Sequence, residues 1–131
     1  RRTAARYGDG VDLVTAPGRG FVELVENDFE ATPEAEATVR AAVAEMLEHG
    51  ADQIVLGCTH YPFLLPVLER VVAGRGVTVV DPSPAVARRV VQLLDRYGLH
   101  ADPAHRAEYT FRTFADEAYR LRLERKALGA L

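Results

Sequence analysis

Apolar residues along this chain alternate between short β-branched runs and longer stretches with helical spacing. The predicted strands are residues 11–15, 53–57, 77–80 and 109–113. The predicted helices are residues 21–27, 33–49, 62–73, 84–97 and 115–128. Strands that alternate with helices are typical of βαβ units. We therefore expect an α/β, three-layer fold with a mostly parallel sheet of about four strands and flanking helices.

Two of the helices carry clear local signals. Thr32 offers a capping hydroxyl directly before Pro33, and acidic residues follow in the first turn, so a helix is expected to begin there. Its expected buried stripe is Val39, Val43, Met46 and Leu47. The stripe expected on the helix over 84–97 is Val86, Val90, Leu93 and Leu94. Both stripes have the spacing of one helix face, which predicts that each packs on the sheet.

Composition narrows the function classes. The chain has 131 residues, of which 48% are hydrophobic and 27% charged, with a net charge of −3, which is typical of a folded globular protein. The near balance of charge argues against nucleic-acid partners and an acidic membrane surface. No apolar run approaches the ~20 residues of a membrane span. A single cysteine cannot form an internal disulfide, so we expect a cytoplasmic protein.

The domain organisation predicted from these patterns has two parts. Residues 1–98 form an α/β unit, and residues 99–131 form a strand and helix joined to it by a linker over 99–108 that contains a proline and little periodicity. The chain opens on Arg1 without an initiator methionine, so we expect a processed or truncated polypeptide.

The residues most able to carry chemistry follow the predicted strand over 53–57. Gly57 lets the backbone turn sharply at the strand's end, and Cys58, Thr59 and His60 come directly after it. The apolar run suits a strand buried on both faces, and ligands of open α/β sheets bind at the carboxyl ends of strands. A thiol becomes a useful base or nucleophile beside a cation or a helix N-terminus, and His60 and the helix predicted from Pro62 would supply both.

Each of these residues also has a plain structural interpretation. Cys58 is equally compatible with a small buried hydrophobe, and Thr59 with a helix cap. A Cys-x-His pair supplies only two ligands, so no metal site is predicted. Glu26 could assist His60 or simply be solvated.

Two further polar residues, Asp81 and Ser83, follow the strand over 77–80. They could face the same crevice as Cys58 or shape a turn, and we favour the turn.

The run Leu56-Gly57-Cys58-Thr59-His60-Tyr61-Pro62-Phe63-Leu64 resembles the C-terminal catalytic signature of glutamate racemases. Phe21–Glu26 is similar to the Val-x-Leu-Val-Glu element that precedes this signature, and Val79–Ala87 resembles the segment that follows it. The resemblance covers roughly residues 11–128 and is specific in the nine-residue signature.

The resemblance implies cofactor-independent, two-base interconversion of L- and D-glutamate, which supplies D-glutamate for bacterial peptidoglycan. By position, Cys58 would be one of two catalytic cysteines, His60 and Glu26 would assist, and Thr59 would contact the substrate. Glutamate is then the small-molecule partner, no nucleic acid or membrane is involved, and a homodimer is one arrangement left open.

The family's other cysteine lies in an N-terminal half that has no counterpart in this sequence. We therefore expect the C-terminal half of a two-domain racemase, inactive without its N-terminal half. Two alternatives remain open: a one-cysteine decarboxylase of the wider superfamily, and a non-catalytic module that binds carboxylates.

Overall fold

The computed structural model describes residue 6 and residues 8–129 of the chain, so the opening Arg1–Thr3 lies outside the described residues. The helices are α1 (Phe21–Glu26), α2 (Pro33–Glu48), α3 (Leu65–Val72), α4 (Ser83–Tyr97) and α5 (Glu117–Gly129). A 3-10 helix covers Tyr61–Leu64, and the strands are β1 (Gln53–Val55) and β2 (Thr78–Val80). The α/β prediction is confirmed in this arrangement of helices around a small parallel sheet. No helix in the described residues is long and apolar enough to cross a bilayer.

The core forms where α1, α2 and α3 pack together and against one face of the sheet. β1 and β2 pair in parallel with Ile54 opposite Val79, and α3 lies between them in sequence, as a βαβ crossover requires. The buried cluster consists of Phe21, Leu24, Val25, Ala35, Val39, Val43, Ile54, Leu56, Leu64, Val67, Leu68, Val71 and Val72. These side chains hold the end of β1 and the residues after it in a fixed place.

Helix α2 begins where the sequence predicts. The Thr32 hydroxyl accepts a hydrogen bond from the Ala35 backbone N–H at 3.2 Å, which satisfies one of the free donors of the first turn. Val39 and Val43 are fully buried, as predicted, and Met46 and Leu47 pack against the cluster from its edge.

The helix predicted over 62–73 is divided in two by its second proline. Pro66 has no N–H to donate to the Pro62 carbonyl, and its ring would clash with that carbonyl in an α-helix. The backbone N–H of Leu65 bonds to Pro62 instead, in a 3-10 pattern, and the α-helix begins at Leu65 with Pro66 in its first turn. A helix N-terminus therefore does follow His60 directly, but it is that of the 3-10 helix, and the α-helix begins four residues later than the 3-10 helix.

Two predicted strands and the strand count were also wrong. Residues 11–15 and 109–113 are irregular, and only β1 and β2 form a sheet in the described part of the chain, in place of the four strands expected. β1 and β2 pair with each other, and among the described residues neither segment pairs with the free outer edge of either strand. Val11 and Tyr109 accordingly remain 66% and 64% exposed.

Burial of β1 and α4 also differs from expectation. Ile54 and Leu56 are buried but Val55 is 63% exposed, so β1 packs on one face and not on both. None of the four apolar residues predicted as the stripe of α4 is buried, although the helix itself forms as predicted. Val86 and Val90 are exposed to solvent, whereas Leu93 and Leu94 are half-buried.

Candidate active site

Cys58 lies in a tight turn at the carboxyl end of β1. The ladder ends with the Leu56 N–H donating to the Val80 carbonyl at 3.0 Å, after which the backbone leaves the sheet at Gly57. The Cys58 carbonyl then accepts the N–H of Tyr61 at 3.1 Å, and this bond closes the turn. Leu64, fully buried at the end of the 3-10 helix, anchors the far side. Cys58 is thus half-buried and not sealed in the interior.

Three of the four predicted site residues form one chain of contacts. The Cys58 Sγ lies 3.9 Å from His60 Nδ1, and His60 Nε2 lies 3.3 Å from Glu26 Oε1. The His60 and Glu26 side chains are 28% and 29% exposed, so the group is partly accessible to water. Glu26 enters the site because α1, on which it is the last residue, packs against the 3-10 helix that follows His60.

This order of contacts supports proton transfer at sulfur. When His60 is protonated, both ring nitrogens are donors, so Nδ1–H faces the sulfur while Nε2–H faces the carboxylate. The carboxylate lies where it can orient the ring, and in general a cationic ring beside a sulfur favours the thiolate. The 3.9 Å separation is long, as contacts of this kind often are before a substrate binds.

A cleft of about 490 Å³ opens beside the thiol. Its lining consists of Leu56, Gly57, Cys58, Thr59, Pro62, Pro82, Ser83, Val86 and Ala87. This volume is in the range that holds a small molecule. Thr59, the fourth predicted site residue, lines the cleft beside Cys58, and the 3-10 helix that follows is capped by no side chain, so the capping alternative for Thr59 does not hold.

The second polar turn contributes to the same cleft. Asp81 Oδ1 accepts the Ser83 backbone N–H at 2.8 Å and its hydroxyl at 2.6 Å, so Asp81 shapes the turn before α4 as predicted. Ser83 nevertheless lines the cleft next to Thr59. Both interpretations of this turn therefore apply, one to each residue.

Sequence reasoning missed the contribution of α5 to the site. The Tyr119 hydroxyl donates to Glu26 Oε1 at 2.7 Å, and the Arg122 Nε–H donates to the Glu26 carbonyl at 3.3 Å. These residues are 93 and 96 positions from Glu26 in sequence. No local pattern connects positions so distant, and only the i, i+3 spacing on one helix face links Tyr119 to Arg122.

Farther along α5, Lys126 forms a second link to the segment after α1. Its ammonium donates to Glu30 and, at 2.7 Å, to Asp28. Burial lowers the pKa of Lys126, but the hydrogen bonds to Asp28 and Glu30 together with the charges of these two carboxylates outweigh it, so the net pKa is raised. The hydrogen bond from Lys126 lowers the pKa of Asp28, so both groups stay charged at neutral pH.

Across the described residues, no three His, Cys, Asp or Glu side chains group as a metal site would need. The donor set around Cys58 is a thiol, an imidazole and a carboxylate linked in series, with each group contacting the next.

Comparison with known proteins identifies the family. The sequence profile described as Asp/Glu/Hydantoin racemase matches residues 1–90. A glutamate racemase of Roseiflexus sp. (strain RS-1) is 43% identical over 95 residues, which is 72% of this chain and 35% of that protein. The chain thus spans about a third of the length of this curated relative.

Comparison with solved structures points to the same family. The crystal structure of glutamate racemase from Thermus thermophilus in complex with β-chloro-D-alanine has a TM-score of 0.72 and 33% identity, over 95% of this chain and 48% of that one. Glutamate racemase isoform RacE1 from Bacillus anthracis shares the fold with a TM-score of 0.83 at 22% identity, over 98% of this chain and 47% of that one. With a family profile that spans more than half of its residues, this chain belongs to the Asp/Glu/Hydantoin racemase family.

Proposed function

We propose that this chain supplies one face of a glutamate racemase active site. Cys58 is one of two thiols that exchange the α-proton of glutamate, His60 and Glu26 assist it, and Thr59 contacts the substrate. In this proposal residues 1–98 are part of the C-terminal catalytic domain and residues 99–131 are appended to it. In this proposal the reaction takes place in the cytoplasm, and its product, D-glutamate, is used for peptidoglycan synthesis.

The observation that carries the proposal is the series Cys58–His60–Glu26, whose thiol lines an open cleft. Once the sulfur has given its own proton to the imidazole at 3.9 Å, the thiolate can take a proton from carbon on its cleft side and so become a thiol again. The amino-acid analogue bound by the Thermus thermophilus relative supports an amino acid as the class of ligand.

Racemisation requires a second acid on the opposite face of the substrate. A single base that returned its own proton would mostly restore the starting enantiomer, whereas two groups on opposite faces invert the centre. This chain contains one cysteine. We therefore expect the 131-residue polypeptide by itself not to racemise glutamate at an enzymatic rate.

The test is a chimera in which this chain replaces the matching segment of the Thermus thermophilus enzyme. Deuterium wash-in at the α-carbon is followed in D₂O by NMR, starting from each enantiomer in turn. We expect exchange from both enantiomers in the chimera. Cys58→Ser should impair one direction far more than the other, because each thiol serves one face.

Three outcomes would count against the proposal. They are equal losses from both enantiomers, an unimpaired Cys58→Ser chimera, and robust racemisation by the isolated chain. A carboxylate-binding module would be favoured by two results together. Calorimetry would show that the chain binds glutamate equally well with and without Cys58→Ser, and the chimera would show no proton exchange. Release of carbon dioxide from a malonate-type substrate would favour the one-cysteine decarboxylase.

A further inference from the structure

We propose that Tyr119 is a positioning residue for the thiol site, and that its hydroxyl holds the Glu26 carboxylate against His60. The same oxygen, Glu26 Oε1, lies 2.7 Å from the Tyr119 hydroxyl and 3.3 Å from His60 Nε2. A contact chain thus runs from the phenol through the carboxylate and the imidazole to the sulfur. Its consequence for catalysis rests on the proposed function, whereas its effect on the thiol does not.

Glu26 needs such a donor because of where it lies. It is the last residue of α1, where the helix dipole disfavours an anion, and the last turn of α1 contains no basic residue. Holding a glutamate side chain in one rotamer costs conformational entropy, and the hydrogen bond from the phenol offsets part of that cost. Of the two contacts that this oxygen makes, the one with the phenol is a close hydrogen bond, whereas the one with His60 is a longer ion-pair contact.

Tyr119 is itself held in register by two other residues of α5. Arg122 donates to the Glu26 carbonyl, one of the free acceptors at the end of α1, and Lys126 donates to Asp28 and Glu30. Positions 119, 122 and 126 recur on one face of the helix. These contacts of Arg122 and Lys126 therefore fix the position of α5 along its axis, and with it the position of the phenol relative to Glu26.

The protonation state of the phenol is suited to this task. The hydrogen bond to Glu26, followed by burial and the carboxylate's charge, raises the pKa of Tyr119 above its usual value of 10.0. Tyr119 consequently remains a donor over the whole neutral range. A neutral donor also adds no second negative charge beside the Glu26 carboxylate that faces His60 Nε2.

The proposal is tested by the rate at which iodoacetamide alkylates the intact 131-residue chain from pH 6 to pH 9. Because the chain has one cysteine, all alkylation reports Cys58. We expect Tyr119→Phe to slow alkylation near neutral pH by about two- to five-fold, since Tyr119 acts through the partly exposed Glu26–His60 pair and such pairs have modest effects. Tyr97→Phe is the matched control, because that ring is 61% exposed on α4, and its rate should equal wild type.

A double-mutant cycle distinguishes positioning from a merely structural role. If Tyr119 acts through Glu26, Tyr119→Phe should have no further effect on the rate in a Glu26→Ala background. A slowing that persists there in full, or a wild-type rate in Tyr119→Phe, would overturn the proposal.

A second measurement needs no change at Tyr119 and so covers the case in which that variant folds poorly. In Glu26→Ala the pKa of the Tyr119 phenol, followed by NMR of its ring carbon, should fall back toward 10.0. An unchanged phenol titration would overturn the proposal. Failure of the proposed racemase activity would appear only as absent deuterium wash-in in the chimera, so the two failures can be told apart.

Discussion

Leu64 is the buried anchor of the turn that presents Cys58, and its removal should loosen that turn. Its side chain is fully buried in the core cluster, at the junction between the 3-10 helix and α3. Truncating a buried leucine to alanine costs the transfer free energy of the lost methyl groups and leaves a cavity. For Leu64→Ala we expect the free energy of unfolding to fall by about 3 kcal/mol, the lower part of the range for such changes.

Urea unfolding followed by circular dichroism measures this loss. With a slope of about 1.5 kcal/mol/M, a loss of about 3 kcal/mol lowers the urea midpoint by about 2 M. Leu99→Ala makes the same chemical change at a residue that is 66% exposed, and should shift the free energy of unfolding by at most about 0.5 kcal/mol.

Hydrogen exchange then connects this loss to the site. The Tyr61 amide is protected by its bond to the Cys58 carbonyl, so its exchange should accelerate in Leu64→Ala and stay at the wild-type rate in Leu99→Ala. The reasoning would be refuted if Leu64→Ala cost no more than Leu99→Ala, or if it destabilised the protein while the Tyr61 amide kept its full protection.

Three further predictions concern other parts of the fold, each measured by urea unfolding. A Cβ added at Gly18 would lie 2.6 Å from the Tyr61 hydroxyl, so Gly18→Ala should cost about 1–3 kcal/mol, whereas Gly129→Ala, with open space around it at the end of α5, should cost no stability. A Gly18→Ala protein as stable as Gly129→Ala would contradict this packing. Thr32→Ala removes the cap of α2 and should cost about 1 kcal/mol, and an unchanged midpoint would mean that the cap contributes nothing. Lys126→Met should cost about 1–2 kcal/mol at pH 7, because it leaves two carboxylates unpaired. Since the pKa of Lys126 is raised in the folded state, its contribution should be complete below pH 10.5 and lost above it, and a wild-type midpoint that does not fall above pH 10.5 would argue against the link.

The sequence predicted those elements whose signals are local. Thr32 and Pro33 mark the start of α2, and the run over 53–57 locates β1 and the turn after it, because capping and chain reversal depend on adjacent residues. The predictions over 11–15 and 109–113 were wrong, since strand formation depends on a pairing partner that no local pattern reports.

In the candidate site, too, residues that are close in sequence could be predicted and a distant one could not. Cys58, Thr59 and His60 are adjacent in sequence, and the resemblance to glutamate racemases singled them out along with Glu26. Tyr119 lies 93 positions from Glu26 and carries no motif, so only the packing of α5 brings it to the carboxylate. The proline at 66 did carry a readable signal, because a residue without an N–H four positions after Pro62 rules out an α-helix through both.

The attachment of α5 has a consequence for the solvent in which the protein is handled. No side chain of α5 is fully buried, and its links to the end of α1 are hydrogen bonds and ion pairs made by Tyr119, Arg122 and Lys126. Attraction between charges near the surface is screened over about 8 Å at physiological ionic strength and about 3 Å at 1 M salt. High salt should therefore detach α5 from the end of α1 well before it affects the apolar core. Because Tyr119 would then leave Glu26, the reactivity of the Cys58 thiol should fall as the salt concentration rises.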